Sequence, residues 1–312
     1  MEYRNLGRSG LKVSAVRLGC NNFGWTIDEA QSRAVVDAAI DAGVTFLDTA
    51  NVYGGGGASE TMLGNILGDK RQKVILSSKV GLEMPDGTRG GSRWNIVSGV
   101  EDSLRRLKTD YIDLYQLHWS DPTTPIDETL RAFDDLIRAG KVRYIGACNL
   151  AAWEVVEAEY LARELGTHRF VSIQDELSLL VRGKEKTLLP ALERYGVGFL
   201  PYFPLASGLL TGKYRRDEGA PEGSRFAKLD RMATRYLTEA NWDKTEALKA
   251  FCEARGRTLV ELAFSWLLTR PMVASVMAGA TKPEQVTANV AATDWQLTPE
   301  DLEEIDRVTG DA

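Results

Sequence analysis

Val44-Thr45-Phe46-Leu47-Asp48 is a short run of apolar and β-branched residues that stops on a carboxylate. Seven other runs have the same form, at residues 16–18, 74–79, 111–117, 142–147, 171–174, 197–202 and 273–277. Each is bounded by polar or glycine positions, and most are continuously apolar, as strands covered on both faces are. Longer helical patterns separate them, so the chain reads as repeated strand-helix units feeding a parallel sheet. Eight such units in 312 residues predict an α/β fold, a (β/α)8 TIM barrel, with a doubly wound open sheet as the alternative.

Helix ends are legible between the runs. Thr26 and Glu29 have the spacing of a capping box ahead of an alanine stripe at 30, 34, 38 and 42, and Gly43 follows as a C-terminal stop. Thr124-Pro125 with Asp127, and Thr298-Pro299 with Asp301, each offer an N-cap hydroxyl, a proline at the first helical position and an acid in the first turn. The last helix presents Leu302, Ile305 and Val308 on one face. Between the seventh and eighth runs the spacing doubles. There the charged, Gly- and Pro-punctuated segment 214–225 predicts a mobile loop followed by an extra helical segment. Residues 3–6 and 11–13 flank Gly7-Arg8-Ser9-Gly10 and predict a hairpin capping the closed end of the barrel. Residues 1–312 are therefore expected to form one barrel domain with an N-terminal hairpin, a long insertion after strand 7 and a C-terminal helix.

Composition narrows the function classes. Hydrophobic residues at 44% and charged residues at 26% can bury a large core, which excludes a disordered chain. No apolar run reaches the roughly 18 residues of a membrane span, and the start Met1-Glu2-Tyr3-Arg4 lacks a signal-peptide apolar region. A cytoplasmic location without a membrane partner is expected. A net charge of −6 argues against a nucleic-acid partner while permitting a local basic pocket. Cys20, Cys148 and Cys252 are too few and too dispersed for a disulfide framework or a four-cysteine zinc site. With only His118 and His168 beside them, no metal is assigned.

The strand ends carry the chemistry. Asp48 ends the second run, Lys79 the third, Gln174 the sixth and Tyr202 the seventh, while His118 and Asn149 follow the fourth and fifth. A barrel of parallel strands gathers all of these at one mouth. Singly, an Asp after a strand is ordinarily a helix cap and a His a satisfied structural residue; together they suggest a site.

Asp48-Thr49-Ala50-Asn51-Val52-Tyr53-Gly54 resembles the Asp-Thr-Ala-x-x-Tyr-Gly segment of the aldo-keto reductases, and Lys79 and His118 stand where that family places its catalytic lysine and histidine. Gly146-Ala147-Cys148-Asn149 is similar to the family's Gly-x-Ser-Asn turn. Tyr202-Phe203-Pro204-Leu205, followed by Gly208-Leu209-Leu210-Thr211-Gly212-Lys213, is similar to its Tyr-Ser-Pro-Leu and Gly-Leu-Leu-Thr-Gly-Lys segment. The resemblance runs from the N-terminal hairpin to the last helix. It implies an NADPH-dependent oxidoreductase that reduces a small aldehyde or ketone to an alcohol by hydride transfer.

Such a reaction leaves an alkoxide that needs a proton, so a weak acid must face the carbonyl oxygen. A phenol with its ordinary pKa near 10 donates poorly at neutral pH, and a lysine cation beside it lowers that value. On this reading Tyr53 is the proton donor, Lys79 tunes it, Asp48 pairs with the lysine, and a neutral His118 orients the substrate carbonyl.

No Gly-x-Gly-x-x-Gly fingerprint or Walker A loop occurs, and Gly54-Gly55-Gly56-Gly57 fails the spacing of both. It reads as the loop that carries the backbone past Tyr53, one glycine longer than the usual family version. The resemblance implies a dinucleotide lying across the barrel mouth instead. Tyr202 would stack on the nicotinamide, with Asn149 and Gln174 on its carboxamide and Cys148 beside them. Pro204, Leu205, Ser207, Gly208, Lys213 and Arg225 would hold the pyrophosphate beneath a closing lid. Gly279, Thr281 and Lys282, ahead of a helix with Pro283 at its first position, offer a phosphate site that favours NADPH, while Gln285 and Asn289 would face the adenine. The family often has arginine at the Lys282 position, and lysine lacks the bidentate fork, which leaves NADH usable. Cys148, Asp175 and Phe203 replace the usual serine, asparagine and serine.

Trp25, Trp94 and Trp119 fall in loops after strands one, three and four and are candidate walls of a substrate pocket. Two other functions fit the same residues: a cofactor-binding regulatory sensor with little turnover, and a barrel hydrolase or isomerase using Asp48 and His118. The substrate, the oligomeric state and a role for His168 are not encoded in any motif.

Overall fold

The computed structural model describes residues 1–218, 220–221 and 224–310. Two short antiparallel strands, β1 (Tyr3–Asn5) and β2 (Lys12–Ser14), form the expected hairpin. Eight parallel strands follow: β3 (Val16–Gly19), β4 (Phe46–Asp48), β5 (Ile75–Val80), β6 (Ile112–Leu117), β7 (Val142–Cys148), β8 (Ser172–Glu176), β9 (Gly198–Tyr202) and β10 (Val276–Gly279). They pair in sequence order, with β10 against β3, and a parallel bridge between Phe199 and Val273 closes the ring beside β9. This is the (β/α)8 barrel.

The helices around it are α1 (Glu29–Asp41), a four-residue turn α2 (Tyr53–Gly56), α3 (Ala58–Leu67), α4 (Arg93–Leu107), α5 (Ile126–Arg138), α6 (Ala152–Leu165) and α7 (Leu188–Tyr195). After β9 come α8 (Arg225–Lys228), α9 (Asp230–Tyr236), α10 (Glu239–Glu253) and α11 (Leu259–Leu268), then α12 (Pro283–Ala291) and α13 (Pro299–Thr309).

The two-residue period of the strands sorts their side chains. Leu47, Leu76, Tyr115, Ile145, Ile173 and Phe199 face the helices and join the main core. Phe46, Leu114, Leu200 and Ala274 point inward and pack under Leu6, Leu11 and Val13 of the hairpin, which plugs the closed end. Two residues further along the same strands come Asp48, Gln116 and Tyr202, and His118 follows immediately after the end of β6. The interior thus changes from apolar floor to polar mouth within one strand length.

Several local expectations are corrected. The N-cap of α1 is Asp28, whose carboxylate accepts the Gln31 N–H at 2.9 Å while the Gln31 side chain accepts the Asp28 N–H. Thr26 instead bonds back to Asn22 within its own turn. With the helix rotated to that start, Ser32, Val35, Val36 and Ala39 form its buried face, and Ala30 and Ala34 are exposed. Thr124 does not cap α5, because its hydroxyl donates to Asp121; Pro125 holds the N-cap position. Thr298 caps α13 with a reciprocal Asp301 box as expected, and Ile305 is the most buried residue of the predicted face. The eighth strand begins three residues later than expected, since Val273 is used in the closing bridge. The insertion holds three helices before α11, more than one extra segment; Gly219, Glu222 and Gly223 of the predicted loop lie outside the described residues, as do Asp311 and Ala312. Trp94 lies in the first turn of α4 and not in a loop.

Candidate active site

Asp48 and Lys79, ending neighbouring strands, are both fully buried and form an ion pair. Lys79 Nζ also donates to the Thr49 carbonyl at 2.7 Å. Two buried charges survive only when paired and hydrogen-bonded, so each fixes the other. The pairing keeps the Lys79 ammonium above its usual range against the pull of burial, with Asp48 the main favourable partner. Asp48 is thus committed to cations and is not a free base, which removes the ground for a hydrolase or isomerase built on it.

Tyr53 reaches this pair through a run of left-handed glycines. Gly54 has φ +73°, and a Cβ there would meet Ala58 Cβ at 2.8 Å and the Phe23 carbonyl at 2.9 Å. A side chain at that position would push the turn away from the mouth. Lys79 Nζ stands 5.0 Å from the Tyr53 ring centroid. Burial raises the Tyr53 phenol above its ordinary range, while Lys79 pulls it back. The phenol is therefore protonated at neutral pH, with a cation in place to stabilise the charge left when the proton departs.

His118 completes the group. Its ring meets Tyr53 edge-on, centroids 5.8 Å apart at 78°. Burial, reinforced by Lys79, holds its imidazole pKa well below the usual value, so the ring is neutral. Its Nδ1 is buried without a hydrogen-bond partner. Its carbonyl accepts from Asn149 Nδ2 at 3.0 Å, and Asn149 Oδ1 accepts the Tyr202 hydroxyl at 2.8 Å. Gln174 is held by Gln116, whose Nε2 donates to Gln174 Oε1 at 3.3 Å and to Ser77 at 2.8 Å. Cys148 points into the interior toward Gln116, its thiol pushed by burial up to about 12, which leaves it unreactive.

Beside these residues a cleft of about 500 Å³ runs from the mouth between the insertion and α12. Pro204, Leu205, Ser207, Gly208, Lys213, Arg225, Gly279, Thr281, Lys282, Gln285 and Asn289 all line it, as does Trp25. Residues far apart in sequence thus converge as expected, and Lys213, Arg225 and Lys282 make a local cationic site on an acidic chain. Lys228, also lining it, is a fourth cation. Cys148, Asn149, Gln174 and Tyr202 sit deeper, toward Tyr53 and outside the cleft lining. Phe203 lies beneath Arg225, its ring centroid 5.1 Å from the guanidinium carbon, so this departure from the family pattern supports a cleft cation. Asn149, Phe203, Ala206 and Ser207 all have positive φ between 46° and 58°, backbone that non-glycine residues adopt mainly where surroundings enforce it. Thr281 donates both N–H and hydroxyl to Gln285 Oε1, at 2.7 and 3.2 Å, which braces the turn before α12. Trp119 and Trp94, 51% and 69% exposed, stand apart from the cleft. Asp175 pairs with Lys184 at 2.6 Å, and His168 Nδ1 meets Asp134 at 2.6 Å far from the mouth.

Three buried polar residues are absent from the sequence reading. Gln116 positions Gln174. Glu176, two residues past the expected end of its strand, binds both Arg235 and Tyr236 of α9 and so ties the insertion to the barrel. Arg17 lies fully buried on β3 beside Asp48.

A long cationic cleft beside a buried acid, lysine, tyrosine and histidine at the mouth of a parallel barrel defines the class. The model of the Aldo/keto reductase family matches residues 15–309. The chain is 39% identical over 318 residues to a protein of Oryza sativa named probable voltage-gated potassium channel subunit beta, covering 99% of this chain and 96% of that one. It is 36% identical to an uncharacterized oxidoreductase of Bacillus subtilis, with coverage of 97% and 94%. It is 34% identical to L-glyceraldehyde 3-phosphate reductase of Escherichia coli, with coverage of 100% and 93%. The chain belongs to the aldo-keto reductase family, and so to a group of oxidoreductases that act on small carbonyl compounds with nicotinamide dinucleotides. Among the described residues no helix is long and apolar enough to cross a membrane.

Proposed function

We propose that this protein, as one barrel domain, reduces an aldehyde or ketone to an alcohol with NADPH, Tyr53 giving the proton. The observation that carries the reading is the placement of the protonated Tyr53 phenol between the Lys79 cation and the neutral His118 ring. When bound, the nicotinamide supplies a hydride. Everything else falls to the chain. His118, neutral at physiological pH, keeps one ring N–H and donates it in a hydrogen bond that orients the substrate oxygen toward Tyr53. Tyr53 passes its proton to that oxygen as charge builds, and Lys79, held by Asp48, stabilises the phenolate left behind.

The residues present fit a dinucleotide. Tyr202 offers a ring face fixed by its bond to Asn149, and Gln174 offers an amide oriented by Gln116. Lys213, Arg225 and Lys282 supply charge for phosphates, with Lys282 at the N-terminus of α12 suited to a ribose phosphate. Trp25, which lines the cleft, is proposed to shape an apolar approach for substrate, with the exposed Trp94 and Trp119 as further candidate walls outside the cleft lining. NADPH oxidation across an aldehyde and ketone panel, with NADH controls, tests this reading; no oxidation of either cofactor by any carbonyl would contradict it.

The likeness to proteins named potassium channel beta subunits favours a second reading, a cofactor-binding sensor with little turnover. The intact Asp48, Tyr53, Lys79 and His118 set favours the enzyme.

A further inference from the structure

Arg17 is a charged side chain with no access to solvent. It lies inside the barrel, where Nη1 donates to the Ser275 carbonyl at 2.7 Å and Nη2 to the Pro201 carbonyl at 3.1 Å. These carbonyls belong to the two sides of the seam that the single Phe199–Val273 bridge closes. Its remaining nitrogen, Nε, stands 3.7 Å from Asp48 Oδ2, and neither atom has a hydrogen-bond partner. Asp48 therefore sits between two cations, Lys79 on Oδ1 and Arg17 beside Oδ2. An Asp48–Lys79 pair alone would be electrically neutral, whereas the trio carries a net charge of about +1 directly under Tyr53.

We propose that Arg17 is a positioning residue for the proton donor: it offsets the Asp48 carboxylate so that the full charge of Lys79 acts on Tyr53. The inference rests on the proposed role of Tyr53 and deepens it. A carboxylate shared by two cations repels a nearby phenolate less than one neutralised by Lys79 alone, so the trio favours loss of the phenolic proton. Arginine suits the place because its guanidinium stays charged when buried and its fork reaches both seam carbonyls as well as Asp48. Burial lowers the Arg17 guanidinium only to about 10, leaving it cationic at neutral pH. The other groups acting on Tyr53 are accounted for. Lys79 and Asp48 have been described, His118 is neutral, Cys148 is a protonated thiol, and Arg225 approaches from the insertion side. Cys20, beside Asp48 and Lys79, is a thiol that burial also keeps protonated.

The competing role is purely mechanical, a strap across the barrel seam. Titrating the Tyr53 phenolate by its near-ultraviolet absorbance, as the difference between the protein and its Tyr53→Phe variant, separates the two without requiring turnover. In Arg17→Gln the Tyr53 midpoint should rise by about one pH unit, and in Arg17→Lys it should stay near the parent value. Should Arg17→Gln fail to fold, citrulline at position 17 removes the charge while keeping the planar side chain, its Nε–H and one of the two terminal donors, with an oxygen in place of the other. It can be introduced on a synthetic 1–19 segment ligated at Cys20. A folded Arg17→Gln or citrulline protein whose Tyr53 titrates at the parent pH overturns the proposal. A shifted midpoint in a protein that reduces no carbonyl would uphold it while rejecting the catalytic reading.

Discussion

Lys79 stands between Asp48 and Tyr53, its ammonium bonded to the carboxylate and 5.0 Å from the centre of the phenol ring. One buried cation thus serves two purposes, closing the charge balance of the barrel interior and tuning the acid at its mouth. The consequences can be separated by cutting each contact in turn.

Tyr53→Phe removes the proton donor and leaves the cleft lining intact. Carbonyl reduction should fall by at least about 100-fold, the ordinary size of a lost general acid. Dinucleotide affinity, measured by fluorescence quenching, should change by less than about twofold, because only the phenol hydroxyl is lost and no dinucleotide contact is assigned to it.

Asp48→Asn leaves Lys79 and Arg17 buried together without their shared counter-charge. Breaking a buried pair in this way costs about 3 to 5 kcal/mol. Urea unfolding should show a loss of that order, and activity should fall with it.

His118 gives a pH signature. Its folded pKa is depressed, so the unfolded chain binds a proton near its ordinary value of about 6.5 that the folded chain excludes. Its contribution to stability is therefore present above that pH and is lost as pH falls below it, by up to about 1.4 kcal/mol per unit. Unfolding curves across this range should be flatter for His118→Asn. The rate of reduction should show no inflection near the ordinary imidazole pKa, since the folded ring stays neutral there.

Lys282→Ala should raise the Michaelis constant for NADPH by about tenfold, the value of one hydrogen bond to a charged group, and leave that for NADH little changed. Equal effects on both would remove its assignment to the ribose phosphate.

Glu176→Gln weakens the tie between β8 and α9, where the carboxylate holds Arg235 and Tyr236. The insertion should then be cut faster by trypsin and the dinucleotide should dissociate faster. The barrel, whose ladders do not use that side chain, should unfold at a similar urea concentration.

The parts of this protein that could be read from its residues are those where a short-range pattern has one physical outcome. Apolar runs ending in Asp48, Lys79 and Tyr202 could only place those groups at one mouth once the strands were parallel. Arg17 was illegible for the converse reason. A charge within a strand ordinarily marks a solvated face, and only closure of the ring makes that face an interior. Gln116 is hidden in the same way, a polar residue within a mostly apolar strand run whose interior face only ring closure defines. Glu176 lay past the expected strand end, which pairing with β9 through Tyr202 extends. The start of α1 failed because Thr26 and Asp28 are both competent caps, and the bond from Thr26 to Asn22 decides between them. Convergence of Lys213, Arg225 and Lys282 on one cleft depended on the path of the insertion, which no local pattern specifies.

The central claim is proton donation by Tyr53 to a carbonyl oxygen. It is tested most directly by a single-turnover experiment in which protein loaded with one equivalent of NADPH is mixed with a reactive aldehyde and the nicotinamide absorbance is followed. The account predicts complete oxidation of the bound cofactor by the parent protein and almost none by Tyr53→Phe over the same interval. Oxidation at equal rates in both would contradict it, as would a parent protein that binds NADPH and oxidises none.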